Sequence, residues 1–199
     1  MAFRPACGIV MEVGEVFRRI FAPLAASNIP YMLVGSFASS YYGALRSTQD
    51  IDIVISATPE QLRQLVQLLQ PMDYYADIGA ALDALKNHSM FNVLDNKTGW
   101  KIDFIFRKPT PFGREGLHRR QSVQFQGVEL FIASPEDLVV SKLEWAKMGG
   151  SQLQIRDVAT VLKKRWASLD HSYLKKWVAE LDLAAEWQSA LQQAGIQPG

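Results

Sequence analysis

The stretch "LVGSFASSYYGALRSTQDIDIVIS" (residues 33–56) carries Asp50 and Asp52 with only Ile51 between them, and Ile53, Val54 and Ile55 directly after. In a β-strand, residues i and i+2 share a face about 6–7 Å apart, so the two carboxylates project together while Ile51 and Ile53 turn toward the core. Carboxylates side by side on an otherwise apolar strand repel each other and resist loss of solvent. "WKIDFIF" (100–106) repeats the arrangement, with Asp103 as its only acidic side chain. If the two strands are neighbours, three carboxylates share one patch. Such a patch suits hard divalent cations, because Mg²⁺ takes oxygen ligands and shares its shell with substrate phosphates. Two ions about 3.5–4 Å apart would stabilise both attacking and leaving oxygens of a phosphoryl or nucleotidyl transfer. The structural alternative is that Asp50 is a turn or strand-entry residue and Asp52 sits on an exposed edge.

Upstream, "LVGS" ends a strand at Gly35-Ser36 and opens a helix. Free backbone N–H groups at a helix start favour phosphate, Gly35 lets the chain approach closely, and the Ser36 hydroxyl can donate to a phosphate oxygen. Other chemistries fit less well. An EF-hand loop spreads its oxygen ligands over about 12 residues, whereas "IVIS" after Asp52 supplies none. A glycosidase pair must face each other across a sugar. His88, His118 and His171 are scattered and there is one cysteine, Cys7, so no zinc spacing exists. No Ser stands in a G-x-S-x-G context.

The joint pattern of strand, Gly-Ser, helix, D-x-D strand and later Asp resembles the polymerase-β-like nucleotidyltransferase superfamily over about residues 30–106. Ser36 stands where that superfamily more often has a second Gly. The resemblance implies that Asp50 and Asp52 bind two Mg²⁺ ions, that Asp103 completes the set and acts as base, and that Gly35 and Ser36 hold the triphosphate of an NTP. "LRSTQDID" looks like the small bacterial members, including toxin halves of abortive-infection and toxin–antitoxin pairs, which makes an antitoxin a possible partner. In it Arg46 either meets a phosphate or is a surface turn residue, and Thr48 orients the strand entry. "SPEDLVVSKLEWAK…QIRDVATVL" also looks like the helical half of these proteins. There Lys142 either reaches the nucleotide or pairs with Asp157, and Arg156 and Asp157 are expected on inward-facing turns. The implied activity is Mg²⁺-dependent transfer of an NMP from an NTP to a hydroxyl on an RNA 3′ end, a protein side chain or a small molecule, releasing pyrophosphate. The alternative is a non-catalytic binding module of the same fold.

These residues need elements to position them. Helical spacing of Val10, Val13, Phe17, Ile20 and Phe21 predicts a helix over 10–28, and "YMLVG" a short strand. Residues 36–45 read as a short helix and 50–56 as the acidic strand. Thr58, Pro59 and Gln61 form a helix-start signal. A helical run near 77–87 leads to strands at 89–95 and 100–106 joined by "NKTG", and 122–133 reads as a hairpin pivoting on Gly127. "FGREGLHRRQ" (112–121) is read as a loop whose Arg114, Arg119 and Arg120 are either a solvated face or a clamp for phosphates. From Ser134, with Pro135 and Asp137, only helices are expected: that one, then 151–165, 170–181 and 183–194. Trp145, Trp166, Trp177 and Trp187 all fall there, as core or, for one of them, as a stacking platform for a base.

The fold expected is α+β: a small mixed sheet flanked by helices over 1–133, then a helical subdomain over 134–199. Twenty-one Lys and Arg against 20 Asp and Glu give a net charge of +1, too little for a broad DNA-binding surface. One cysteine, no long apolar span, and Glu12 and Glu15 interrupting the first apolar run lead to the expectation of a cytoplasmic, reduced protein without a membrane segment.

Overall fold

The computed structural model describes residues 13–44 and 48–197, so Cys7 and the first residues of the expected opening helix lie outside it. Helix α1 (Val13–Ala26) buries Phe17, Ile20 and Leu24. It stops at a turn in which Asn28 takes a left-handed conformation, φ 52°. Strand β1 (Tyr31–Leu33), helix α2 (Gly35–Tyr41) and strand β2 (Asp50–Ile55) follow. Helix α3 (Pro59–Leu69) opens on a reciprocal cap between Thr58 and Gln61, as the spacing predicts. Then come β3 (Tyr74–Ala76), α4 (Ile78–Lys86), β4 (Met90–Asp95), β5 (Lys101–Phe106), α5 (Pro111–His118), β6 (Gln121–Phe125) and β7 (Val128–Ile132). Helices α6 (Pro135–Gly149), α7 (Gln152–Arg165), α8 (His171–Glu180) and α9 (Ala184–Ala194) complete the described chain.

The seven strands form one mixed sheet in the order β3-β4-β5-β2-β1-β7-β6. β2 lies parallel to β5 and antiparallel to β1, while β1 lies parallel to β7. This is the α+β architecture, a mixed sheet flanked by helices. β2 sorts its side chains by parity: Ile51, Ile53 and Ile55 are fully buried, and Asp50, Asp52 and Val54 take the opposite face. One apolar cluster runs from Val16 in α1 through the sheet to Ala194 in α9. Among the described residues no helix is long and apolar enough to cross a membrane.

Two elements differ from expectation. The stretch read as a loop at 112–121 contains α5, which starts on a cap of its own: the Thr110 hydroxyl accepts from Gly113 N at 3.1 Å, with Pro111 next. Its arginines are taken up by structure. Arg119 pairs with Glu136 at 3.2 Å and Asp137 at 3.4 Å and lies over the Tyr173 ring, tying α5 to α6 and α8. Arg120 donates to Leu117 O and Arg114 to Pro109 O. The other element is β3, three residues long, which extends the sheet beyond β4.

Candidate active site

β1 leads into the site through a backbone hydrogen bond from Val34 N to Asp52 O, 2.9 Å. The chain then turns at Gly35, whose φ of +64° is left-handed, and a β-carbon there would sit 1.9 Å from Asp52 Oδ2. Both facts demand glycine. The backbone at the start of α2 therefore lies directly against the Asp52 carboxylate. Ser36 is buried in this turn and lines the same cleft. α2 has only seven residues, so its dipole is small; the hydroxyl and the bare backbone are what the turn supplies.

Across the sheet, the parallel register pairs Asp52 with Asp103 and Asp50 with Lys101. On the other side of β5, Asn92 of β4 stands opposite Asp103 and donates its side-chain amide to Asp103 Oδ1. The other oxygen, Oδ2, accepts from Lys101 Nζ at 3.0 Å, and the same ammonium lies 3.7 Å from Asp50 Oδ1. The three aspartates thus share a face on adjacent strands, but a lysine stands among them. No group of three or more His, Cys, Asp or Glu side chains among the described residues is gathered closely enough to hold a metal ion.

The electrostatics are those of an anion cluster short of positive charge. The Asp52 carboxyl is pushed up to about 6, first by burial and then by the carboxylates of Asp103 and Asp50; Lys142 and Lys101 pull it partly back. Lys101 is held protonated by its hydrogen bond to Asp103.

A cleft of about 370 Å³ opens from this patch, between the sheet and helices α5 and α6, a size that suits a small ligand. Gly35, Ser36, Thr48, Asp50 and Asp52 are among its polar lining, and Val54, Ile105, Phe112 and Leu138 among its apolar lining. Arg107, Lys108, Glu144 and Trp145 also line it. Thr48 braces the entry of β2, its hydroxyl accepting from Asp50 N at 3.1 Å. Arg46 lies outside the described residues. Lys142 is buried in the cleft wall on α6, donating to Asp157 Oδ2 at 2.8 Å and Gln154 Oε1 at 2.7 Å. The pair with Asp157 is thus formed. Arg156, expected to face inward beside Asp157, is exposed, because successive helical residues point about 100° apart. Of the tryptophans in the helices, Trp177 is buried and Trp166 stacks on Trp187, whereas Trp145 is 54% exposed and lines the cleft.

Over residues 15–192 the chain matches the family described as "Nucleotidyltransferase of unknown function (DUF6036)". It belongs to that nucleotidyltransferase family. Among curated proteins none matches the chain. The fold is shared with solved nucleotidyltransferases. The antibiotic-resistance factor ANT(2'')-Ia, known in solution, is 12% identical with a TM-score of 0.59, covering 89% of this chain and 96% of that one. The crystal structure of ANT(2'')-Ia with adenylyl-2''-tobramycin gives 12% and 0.58, covering 87% and 98%. An antigenic nucleotidyltransferase-like protein from Paracoccidioides brasiliensis is 20% identical with a TM-score of 0.57, covering 94% of each chain. The family and the fold agree with the resemblance carried by Gly35-Ser36 and the D-x-D strand.

Lys101 and Asn92 are the residues of this nucleotidyltransferase's site that sequence reasoning missed. The signal for Lys101 was available, since it stands two residues before Asp103 and so shares its face. Asn92 becomes visible only with the β4–β5 register.

Proposed function

We propose that this nucleotidyltransferase moves an NMP from an NTP to the hydroxyl of a small molecule bound in the cleft, with divalent cations held at Asp50 and Asp52. The observation that carries the proposal is the apposition of the Gly35 backbone and the Asp52 carboxylate, beside Asp103, in the lining of the cleft. The donor set fits a hard cation such as Mg²⁺. Its ligands are carboxylate oxygens, and Asp52 lies under a surplus of negative charge that a cation would offset. Two ions would be held by Asp50, Asp52 and, once one of its oxygens is released, Asp103. When bound, they would neutralise triphosphate charge and polarise the phosphorus–oxygen bond that breaks.

The chain's own groups do the rest. Gly35 keeps the space beside Asp52 clear of a side chain, Ser36 offers a hydroxyl to a phosphate oxygen, and Thr48 fixes the backbone of Asp50. Lys142 adds positive potential from the cleft wall, and Arg46 meets a phosphate. Asp103 takes the proton of the acceptor hydroxyl as that oxygen bonds to the α-phosphorus and the bond to pyrophosphate breaks. Trp145 presents its ring to a base or to the acceptor. A helical part from Ser134 onward serves as the wall over the sheet.

The size of the cleft and the net charge of +1 favour a small acceptor over a long RNA. So does the adenylylated tobramycin bound to ANT(2'')-Ia. An RNA 3′ end or a protein side chain is the next choice. An antitoxin partner rests on the likeness of "LRSTQDID" and of the helical half, with its four Trp, to such proteins. The test supplies each NTP with Mg²⁺ and, in turn, a polyhydroxylated aminocyclitol, a short RNA and the protein itself, and follows pyrophosphate release. Release that requires Mg²⁺ and is abolished by Asp52→Asn supports the reading. Release that survives Asp52→Asn contradicts it.

A further inference from the structure

Both oxygens of Asp103 are engaged in this structure. Oδ1 accepts from Asn92, which the antiparallel β4–β5 register holds directly opposite, and Oδ2 accepts from Lys101 at 3.0 Å. Its side chain is 9% exposed, so solvent offers little else. A cation or proton that comes to Asp103 competes with these two donors for its oxygens, and a cation is also repelled by the ammonium. Asn92 is short and fixed by its strand pairing. Lys101 is different: its side chain is 37% exposed, its ammonium ends a flexible four-carbon stem, and it also approaches Asp50 at 3.7 Å. An ion pair this exposed is weak enough to exchange.

We propose that Lys101 is a built-in occupant of the cation site, an ammonium that bridges Asp103 and Asp50 in the empty enzyme and is displaced from both when a divalent cation binds. The inference rests on the reading of Asp50, Asp52 and Asp103 as the cation-binding set. It accounts for two features together. Three acidic residues on one face are not gathered into a ligand group, because an ammonium separates two of them. And the negative charge that Asp50 and Asp103 bring to one face is met by a single ammonium, 3.7 Å from the one and 3.0 Å from the other. Lys101 acts as a positioning residue: it keeps Asp103 ordered and restrains cation binding until the competing ion, brought with the triphosphate, takes its place.

The proposal is tested by titrating Mn²⁺ into wild-type protein and into Lys101→Met, Lys101→Gln, Lys101→Arg and Asp52→Asn, by calorimetry and by the loss of free-ion EPR signal. If Lys101 competes with the cation, Lys101→Met and Lys101→Gln bind Mn²⁺ more tightly, by ~1.5–5-fold, the range an exposed ion pair commands. Lys101→Arg keeps the charge and stays near wild type. Both neutral variants also lose thermal stability in EDTA and regain it with Mn²⁺, a response that a purely structural lysine does not give. Equal or weaker Mn²⁺ binding in the two neutral variants, with binding still lost in Asp52→Asn, overturns the role of Lys101 and leaves the cation site standing. Mn²⁺ binding that is absent in every protein, or unaffected by Asp52→Asn, overturns the cation site itself and the displacement with it.

Discussion

Asp52→Asn should make the metal-free protein more stable while destroying its activity. The Asp52 carboxyl rises from 3.8 to about 6 on folding, through burial and two neighbouring carboxylates. A raised carboxyl pKa means that the folded state holds the proton more tightly than the unfolded chain does. The group therefore favours folding below the unfolded pKa, and this contribution disappears as pH rises through about 6. At pH 7.5, ionised Asp52 costs the fold about 3 kcal/mol, from two pKa units at about 1.4 kcal/mol each. Asparagine has the same shape without the charge. In EDTA at pH 7.5 it should raise Tm by roughly 6–12 °C, at about 2–4 °C per kcal/mol for a chain of this size. The advantage should be about half gone at pH 5 and nearly gone at pH 4, because wild-type Asp52 is then neutral in the fold. Melts of both proteins from pH 4 to 8 check this. Asp52→Asn that is no more stable than wild type at pH 7.5, or a difference that does not change with pH, would refute the electrostatic account of the site.

Gly35→Ala should cost about 1–2 kcal/mol for a β-carbon in the left-handed region, measurable by denaturant melts. It should lower kcat far more, by roughly 100-fold, since the Asp52 carboxylate must retreat from a β-carbon otherwise 1.9 Å away. Wild-type turnover in Gly35→Ala would contradict the apposition. Lys142→Met should destabilise the fold, by up to about 3–5 kcal/mol, because it breaks the buried 2.8 Å ion pair to Asp157. Adding Asp157→Leu should restore most of that loss in the same melts.

Much of the site was readable because it rests on local rules. Strand parity puts Asp50 and Asp52 on one face and Ile51 and Ile53 on the other, and Thr58 with Gln61 marks a helix start without any tertiary contact. The turn at Gly127 was legible for the same reason, with Gln126 at φ 53° and Gly127 at φ 73°. Helix α5 was missed although Thr110-Pro111 repeats the Thr58-Pro59 signal; Gly113 and Gly116 within it diluted the helical pattern. A β-carbon at the second glycine would lie 3.5 Å from the buried Asp137 carboxylate. β3 is too short to show a period. The sheet order itself is non-local: nothing in the composition of β1 states that it pairs antiparallel with β2 and parallel with β7. The placing of Asn92 opposite Asp103 depends on that order, so the amide on Oδ1 emerged only from the assembled sheet, whereas Lys101 shares the face of Asp103 by strand parity alone.

Calorimetric binding of a non-hydrolysable NTP analogue, with and without Mg²⁺, to wild type and Asp52→Asn tests the central claim most directly. The account predicts binding to wild type that requires Mg²⁺ and is lost in Asp52→Asn. Binding of equal strength in EDTA, or binding undiminished by the substitution, would contradict it.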